Sequence, residues 1–236
     1  MRLMMALFLT VFVHNTVWAN NSTLFTDMLV IGASVSADHS APSPGKYVAE
    51  QAGLSSSQVV RKAKDGAKST YFKDYIEDRI PRLTPDIIIA VDLFFHDFKI
   101  PAPFRPSDEA HVRDTVSTMA GNSNIFVLGT AIGLQGIGGA TQANQLLWSM
   151  EAENDSLLVV DINSIFIDLH SFEGYQYDVN GVQMTVFRHH VLADAVHPNP
   201  FGSKMLANII IKELRAKYPE ITDNDLPYIP LEAPQF

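Results

Sequence analysis

The apolar positions of this chain are concentrated in five short runs, each bounded by turn-forming or charged residues. Runs of four or more apolar, often β-branched residues are typical of strands buried on both faces of a parallel sheet. The second run carries Arg61 and Lys62, which indicates a strand nearer the edge of the sheet. The predicted strands span residues 28–31, 58–63, 86–93, 124–129 and 157–162.

Segments with the apolar spacing or the capping residues of a helix lie between these strands, and one more lies after the last strand. Pro81 and Pro85 are expected to end the second helix, and Ser107 and Asn199 are expected to cap two later ones. The predicted helices span residues 46–52, 71–80, 107–120, 141–152 and 200–216. The last has an apolar stripe at Met205, Leu206, Ile209, Ile210 and Leu214. This alternation predicts one α/β domain, a parallel sheet covered by helices on both faces.

One segment departs from the alternation. Two stretches with every second residue apolar flank Asn180-Gly181, and Asn-Gly is the strongest short hairpin signal because both central turn residues need positive φ. A small β-hairpin insertion is therefore predicted near residues 175–187.

The amino terminus has the pattern of a secretory signal peptide. Arg2 precedes an apolar stretch that is too short to span a bilayer, and small residues end at Ala19. We expect residues 1–19 to be removed, residues 20–217 to form the α/β domain and residues 218–236 to form a proline-containing extension. The alternative is an uncleaved amino-terminal anchor. Cleavage predicts a secreted or periplasmic protein without stable membrane insertion.

Composition narrows the possible partners. The formal net charge is −9, and removing residues 1–19, which carry Arg2 and no acid, makes it −10. An acidic surface argues against binding to nucleic acid or to anionic membranes. The chain has no cysteine, which excludes disulfides, thiolate metal sites and a cysteine nucleophile.

Ser34 is the first candidate for chemistry. It follows the first predicted strand and Gly32, and ligands bind at the carboxyl ends of strands in parallel sheets. A serine at this position can instead simply cap a turn.

Asp194 and His197 are the second candidate, just before the last helix. A separation of three residues in a turn lets the carboxylate meet one ring nitrogen while the other faces outward, which is what a general-base histidine needs. Pro198 keeps His197 out of helical geometry. The alternative is an ordinary hydrogen bond in a helix-capping loop.

Together, Gly32-Ala33-Ser34 near the start and Asp194-Ala195-Val196-His197-Pro198 near the end resemble the SGNH or GDSL-type serine hydrolases. The last block matches that family letter by letter, whereas the first reads Gly-Ala-Ser instead of Gly-Asp-Ser. The resemblance implies a flavodoxin-like fold, Ser34 as nucleophile, His197 as general base and then acid, and Asp194 as its orienting carboxylate.

The resemblance also implies an oxyanion hole with three donors. The Ser34 backbone N–H is the first, and Gly66, in the turn after the second strand, matches the second. Where the family has an asparagine after the third strand, this chain has none, and His96 is the candidate replacement. The alternative is that His96 is a pocket histidine paired with Asp97.

No metal or cofactor is predicted. His39, His189 and His190 lack the spacing of metal ligands. The glycine-rich segment 133–139 lacks a Walker lysine and follows a late strand, so a substrate-facing loop is the better interpretation.

These features predict an exported serine esterase or lipase that cleaves carboxylic esters through an acyl-enzyme, acting on a small-molecule, lipid or glycan ester. The missing asparagine favours a second hypothesis, a hydrolytically impaired carbohydrate- or lipid-binding protein. A third hypothesis is an O-acyltransferase or deacetylase acting on glycans, because the first half-reaction is the same. We expect a monomer.

Overall fold

The computed structural model describes residues 24–98, 102–133, 138–232 and 234. The predicted signal peptide and the centre of the glycine-rich loop, residues 134–137, lie outside the described residues. The strands are β1 Met28–Gly32, β2 Val59–Ala63, β3 Ile87–Ala90, β4 Ile125–Gly129, β5 Leu157–Val160, β6 Tyr175–Val179 and β7 Val182–Val186. The α-helices are α1 Pro44–Gln51, α2 Lys73–Asp78, α3 Ile80–Leu83, α4 Phe95–Phe98, α5 Pro106–Ala120, α6 Gly139–Ala152, α7 Ile162–Leu169, α8 Arg188–Val191 and α9 Pro200–Lys217.

The first five strands form one parallel sheet in the order β2-β1-β3-β4-β5. This is the flavodoxin-like order, in which ligands bind where the strand order reverses, beside β1 and β3. Met28 is in register with Val59 on one side and Ile87 on the other. The polar strand β2 lies at the edge, as its composition predicts. The carboxyl ends of all five strands therefore meet at one edge of the sheet.

Helices cover both faces of this sheet. Val30 and Ile89 face a core built with α1, α7 and α9. Their neighbours in sequence, Ile31 and Ile88, face a second core built with α2, α3, α5 and α6. Strands β1, β3, β4 and β5 contribute to both cores because their side chains alternate between the faces. The predicted three-layer α/β/α architecture is confirmed.

Several observed helices differ from the predicted ones: α1 and α6 each begin two residues earlier than predicted, at Pro44 and Gly139. The segment predicted as one helix over 71–80 is a 3₁₀ turn, Ser69–Phe72, followed by α2 and α3, and Pro81 is the second residue of α3. Proline is tolerated there because the first N–H groups of a helix have no intrahelical partner. Helix α5 begins at Pro106, so the prediction that Ser107 caps it is wrong. Asp108 instead accepts the Arg105 backbone N–H at 2.9 Å.

The predicted strand over 157–162 also ends early, at Val160. Asp161 caps α7 by accepting the Ser164 backbone N–H at 3.0 Å. Helix α7 was not predicted because the apolar pattern continues from the strand across its cap, and periodicity does not separate short apolar elements.

The hairpin prediction is confirmed. Strands β6 and β7 pair antiparallel, and Asn180 and Gly181 have φ of 53° and 73°. Within the described residues, no helix is both long and apolar enough to cross a bilayer.

The segment after α9 packs on the core as a strap. Ile221, Leu226 and Ile229 are buried in the same core as α9. The buried Asn208 side chain of α9 accepts the Ile229 backbone N–H at 2.7 Å and donates to the Ile229 carbonyl at 2.9 Å.

Candidate active site

The structure brings Ser34, His197 and Asp194 together at the carboxyl edge of the sheet. His197 Nε2 lies 2.8 Å from Ser34 Oγ, and His197 Nδ1 lies 2.6 Å from Asp194 Oδ2. The serine follows β1, and the other two residues lie in the loop between α8 and α9, 160 or more positions away in the sequence. A hydroxyl, an imidazole and a carboxylate in this order can pass a proton from the serine to the histidine.

The loop between α8 and α9 is organised by the Asp194 carboxylate. Asp194 Oδ1 accepts the backbone N–H groups of Val196 and His197 at 2.8 and 2.9 Å. Burial alone would raise the pKa of Asp194, but these N–H groups and the His197 ring outweigh it and lower the pKa to about 2. The carboxylate is therefore ionised at neutral pH, and a histidine Nδ1 beside it carries the proton.

The turn that carries Ser34 is held by a buried carboxylate, Asp92, at the end of β3. Asp92 Oδ1 accepts the Ala33 backbone N–H at 3.0 Å and the Ser36 hydroxyl at 2.6 Å, and Oδ2 accepts the Val35 backbone N–H at 2.7 Å. Asp92 is 3% exposed, and burial raises its pKa against these donors. The N–H groups on both sides of Ser34 are therefore occupied.

The Ser34 backbone N–H itself makes no hydrogen bond within the described residues. It is thus available for an oxyanion, because Asp92 binds only its neighbours. Gly32 makes this arrangement possible: its φ is 153°, and a Cβ at this position would lie 2.4 Å from Asp92 Oδ1 and 2.6 Å from Ser36 Oγ. No other residue fits the position without displacing the carboxylate.

Gly66 lies in the exposed turn after β2, with φ of 68° and open space where a Cβ would be. No hydrogen bond joins it to Ser34 within the described chain. The preceding residue, Asp65, accepts a hydrogen bond from His39 Nδ1 at 2.6 Å. The His39 ring in turn stacks on His197, with 4.2 Å between ring centroids. The turn that contains Gly66 is therefore linked to the site through His39.

His96 is the first residue after Phe95 in α4 and is partly buried. Its ring lies edge-on to Phe95, with 4.9 Å between centroids, and it lines a cleft of about 610 Å³ together with Asp97 and His111. Asp97 accepts the Ser69 backbone N–H at 2.9 Å, and burial raises the pKa of its carboxyl.

The sequence pattern did not identify two residues of the site, Asp92 and His39. Asp92 had a usable signal, since it is an acidic residue directly after the apolar run of β3. His39 lies in a polar loop with no distinctive spacing. In residues 24–98, 102–133, 138–232 and 234, no three histidine or acidic side chains are grouped so that they could hold a metal ion.

Comparison with known proteins gives structural likeness only. No protein-family profile matches the sequence, and no curated protein matches it. Among solved structures, Axe2, an acetylxylan esterase from Geobacillus stearothermophilus, superposes with a TM-score of 0.56 at 19% identity, over 80% of this chain and 94% of Axe2. A variant of Axe2 gives the same TM-score and coverage at 20% identity.

A solved structure from another source has the same fold. LAE5, an α/β hydrolase enzyme from the metagenome of Lake Arreo in Spain, superposes with a TM-score of 0.55 at 15% identity, over 80% of this chain and 94% of LAE5. Identities this low establish the fold. The chain has a flavodoxin-like α/β/α fold, which it shares with Axe2 and LAE5 over 80% of its length.

Proposed function

We propose that this protein is a serine esterase that removes acyl groups, acetyl in particular, from carbohydrates. The observation that carries the proposal is the relay from Ser34 through His197 to Asp194, with separations of 2.8 and 2.6 Å. It lies at the edge of the sheet where this fold binds ligands.

The structural neighbours support the choice of reaction and substrate class. Axe2 is an acetylxylan esterase, and catalytic mutants of it replace a serine, an aspartate or a histidine with alanine. The aspartate and histidine of Axe2 are three positions apart, which is also the separation of Asp194 and His197.

In the proposed reaction, His197 Nε2 takes the Ser34 proton while Ser34 Oγ attacks the ester carbonyl carbon. The oxyanion that forms accepts the Ser34 backbone N–H, and the N–H of Gly66 and the ring of His96 are the proposed further donors. Collapse breaks the bond to the alcohol, which leaves with the proton held by His197. Water then attacks the acyl-enzyme, gives its proton to His197 and releases the carboxylic acid, and Ser34 recovers its proton.

The test combines labelling with turnover. The chain from residue 20 is incubated with a fluorophosphonate probe and the adduct is mapped; we expect it on Ser34. Hydrolysis of acetylated xylo-oligosaccharides, p-nitrophenyl acetate and p-nitrophenyl butyrate is then measured, and Ser34→Ala is expected to abolish it. Folded wild-type protein that is neither labelled nor active would instead favour a binding protein on the same fold.

Acyl transfer to a sugar hydroxyl is separated in the same assay. Adding xylo-oligosaccharides to a reaction with p-nitrophenyl acetate yields acetate from an esterase and acetylated sugar from an acyltransferase. We expect acetate as the main product.

We further propose that the protein is exported and that residues 1–19 are removed. The support is the charged, then apolar, then small-residue pattern of this segment. Expression of the full chain followed by amino-terminal sequencing of the product from the periplasm or medium tests this, and a product that keeps Arg2 would contradict it.

A further inference from the structure

His39 is held on the same turn as the proposed nucleophile. Its backbone N–H donates to the Ser34 carbonyl at 3.2 Å. The preceding residue, Asp38, has a φ of 58°, and its carboxylate accepts the Ser43 backbone N–H at 2.6 Å and pairs with Arg61. The backbone of His39 is therefore fixed relative to Ser34.

The His39 ring covers one face of the proposed general base. The ring centroids of His39 and His197 are 4.2 Å apart, and the ring planes meet at 28°. His39 Nδ1 lies 2.6 Å from Asp65 Oδ2, and an ionised carboxylate only accepts, so Nδ1 carries the proton. The Asp65 bond restrains the His39 ring, whose side chain is 43% exposed, from turning away.

His197 depends on such a contact because its hydrogen bonds act only at the edge of its ring. Asp194 binds Nδ1 and Ser34 binds Nε2, both in the plane of the ring, so these two bonds resist tilting of the ring out of that plane only weakly. A contact on the flat face resists that motion. His197 requires this additional support because it lies in an irregular loop and because the side chain of its partner Asp194 is 50% exposed.

We propose that His39 is a positioning residue, which holds the His197 ring in line with Ser34 through the stack and is itself held by Asp65. This proposal rests on the proposed function. A misplacement of about 1 Å can reduce a rate about a hundredfold, so loss of the stack is expected to reduce kcat by roughly tenfold to a hundredfold. KM should change by less than about twofold, because the contact is made to His197 rather than to substrate.

The experiment compares three variants on p-nitrophenyl acetate. His39→Ala removes the stack and should show the full loss of kcat. His39→Phe keeps a flat ring but loses the nitrogen that bonds to Asp65, so it should recover only part of kcat, to about the level of Asp65→Ala. Asp65→Ala removes only the hydrogen bond that supports the His39 ring, and its kcat should lie between those of wild type and His39→Ala. His170→Ala is the matched control, since His170 ends α7 and bonds to the Phe166 carbonyl; it should equal wild type.

Three results would overturn the proposal. An unchanged kcat in His39→Ala means that the stack is dispensable. A rise in KM with kcat unchanged means that His39 contacts substrate instead. If His39→Phe is as slow as His39→Ala while Asp65→Ala is clearly faster, then the ring nitrogens are needed for something other than the bond to Asp65, and the stack is not what matters. Thermal unfolding checks that each variant folds. If His39→Ala does not fold, Asp65→Ala tests the proposal in its place.

A second readout does not depend on turnover. We expect the proton between His197 Nδ1 and Asp194 to give a downfield ¹H resonance that is sharp in wild type and Ser34→Ala and broadened in His39→Ala. A change in its chemical shift alone is expected from loss of the neighbouring ring and is not counted. If wild type is inactive but shows this difference, the proposed function fails and the positioning role stands. A resonance that stays sharp in folded His39→Ala refutes the positioning role whatever the activity.

Discussion

Asp92 holds the turn on which Ser34, the proposed nucleophile, lies, and replacing Asp92 with asparagine isolates its role as an acceptor. Both carboxylate oxygens accept a backbone N–H, from Ala33 on one side of Ser34 and from Val35 on the other. An amide has the same shape but only one acceptor oxygen. In either orientation, the NH₂ group of Asp92→Asn would face one of these two N–H groups.

The magnitude follows from the burial of the site. A buried donor without an acceptor costs about 1–3 kcal/mol, and here two donors would face each other. Removing a buried charge offsets part of this, because burial raises the pKa of the Asp92 carboxyl. We expect a net destabilisation of about 2–4 kcal/mol, from the unsatisfied donors. In a chain of this size, about 2–4 °C is lost per kcal/mol, so Tm should fall by roughly 5–15 °C. A displaced Ser34 should also reduce kcat by about a hundredfold.

Thermal unfolding followed by circular dichroism, and turnover of p-nitrophenyl acetate, measure the two effects. Asp161→Asn is the matched control: Asp161 also follows a parallel strand and caps α7, and asparagine caps a helix as well as aspartate does. It should leave both quantities near wild type. If Asp92→Asn keeps the wild-type Tm and kcat, then Asp92 does not act as a double acceptor and the account of the nucleophile turn is wrong.

Four further predictions concern the relay, a helix cap and the core. Asp194→Asn should lower kcat by about 10³–10⁴, measured by ester turnover, because the amide favours the wrong His197 tautomer. The pKa of Asp194 in the folded chain, about 2, lies below its ordinary value of 3.8. The stability that this carboxylate contributes is therefore present above pH 3.8 and lost as the pH falls toward 2. Urea unfolding at several pH values should show this loss in the wild type and not in Asp194→Asn. Asn199→Ala removes the side-chain acceptor of the Gly202 N–H in α9 and should cost about 1 kcal/mol in the same assay. Phe126→Ala leaves a cavity beneath α5 and α6, and should cost about 3–5 kcal/mol.

The fold was predictable because each of its strands and its hairpin turn is specified by residues that are adjacent in the sequence. Each buried strand has an uninterrupted apolar run, and Asn180-Gly181 specifies its turn by backbone conformation alone. The failures were also local: α7 follows β5 without a break in apolar character, and a proline at the start of α5 displaced the expected cap. Several neighbouring residues can serve as the first residue of a helix. Which of them does so depends on tertiary contacts that a sequence does not show.

The sequence by itself determined that a serine, an aspartate and a histidine of the right types stand at the ends of predicted elements. Tertiary structure alone decided that they meet, since Ser34 and His197 are 163 positions apart. It also decided the roles of Asp92 and His39, whose meaning lies in the groups they face. Asp92 and His39 act on groups a few ångströms away in space. Those groups are far from them along the chain, so the sequence gives no sign of the contacts.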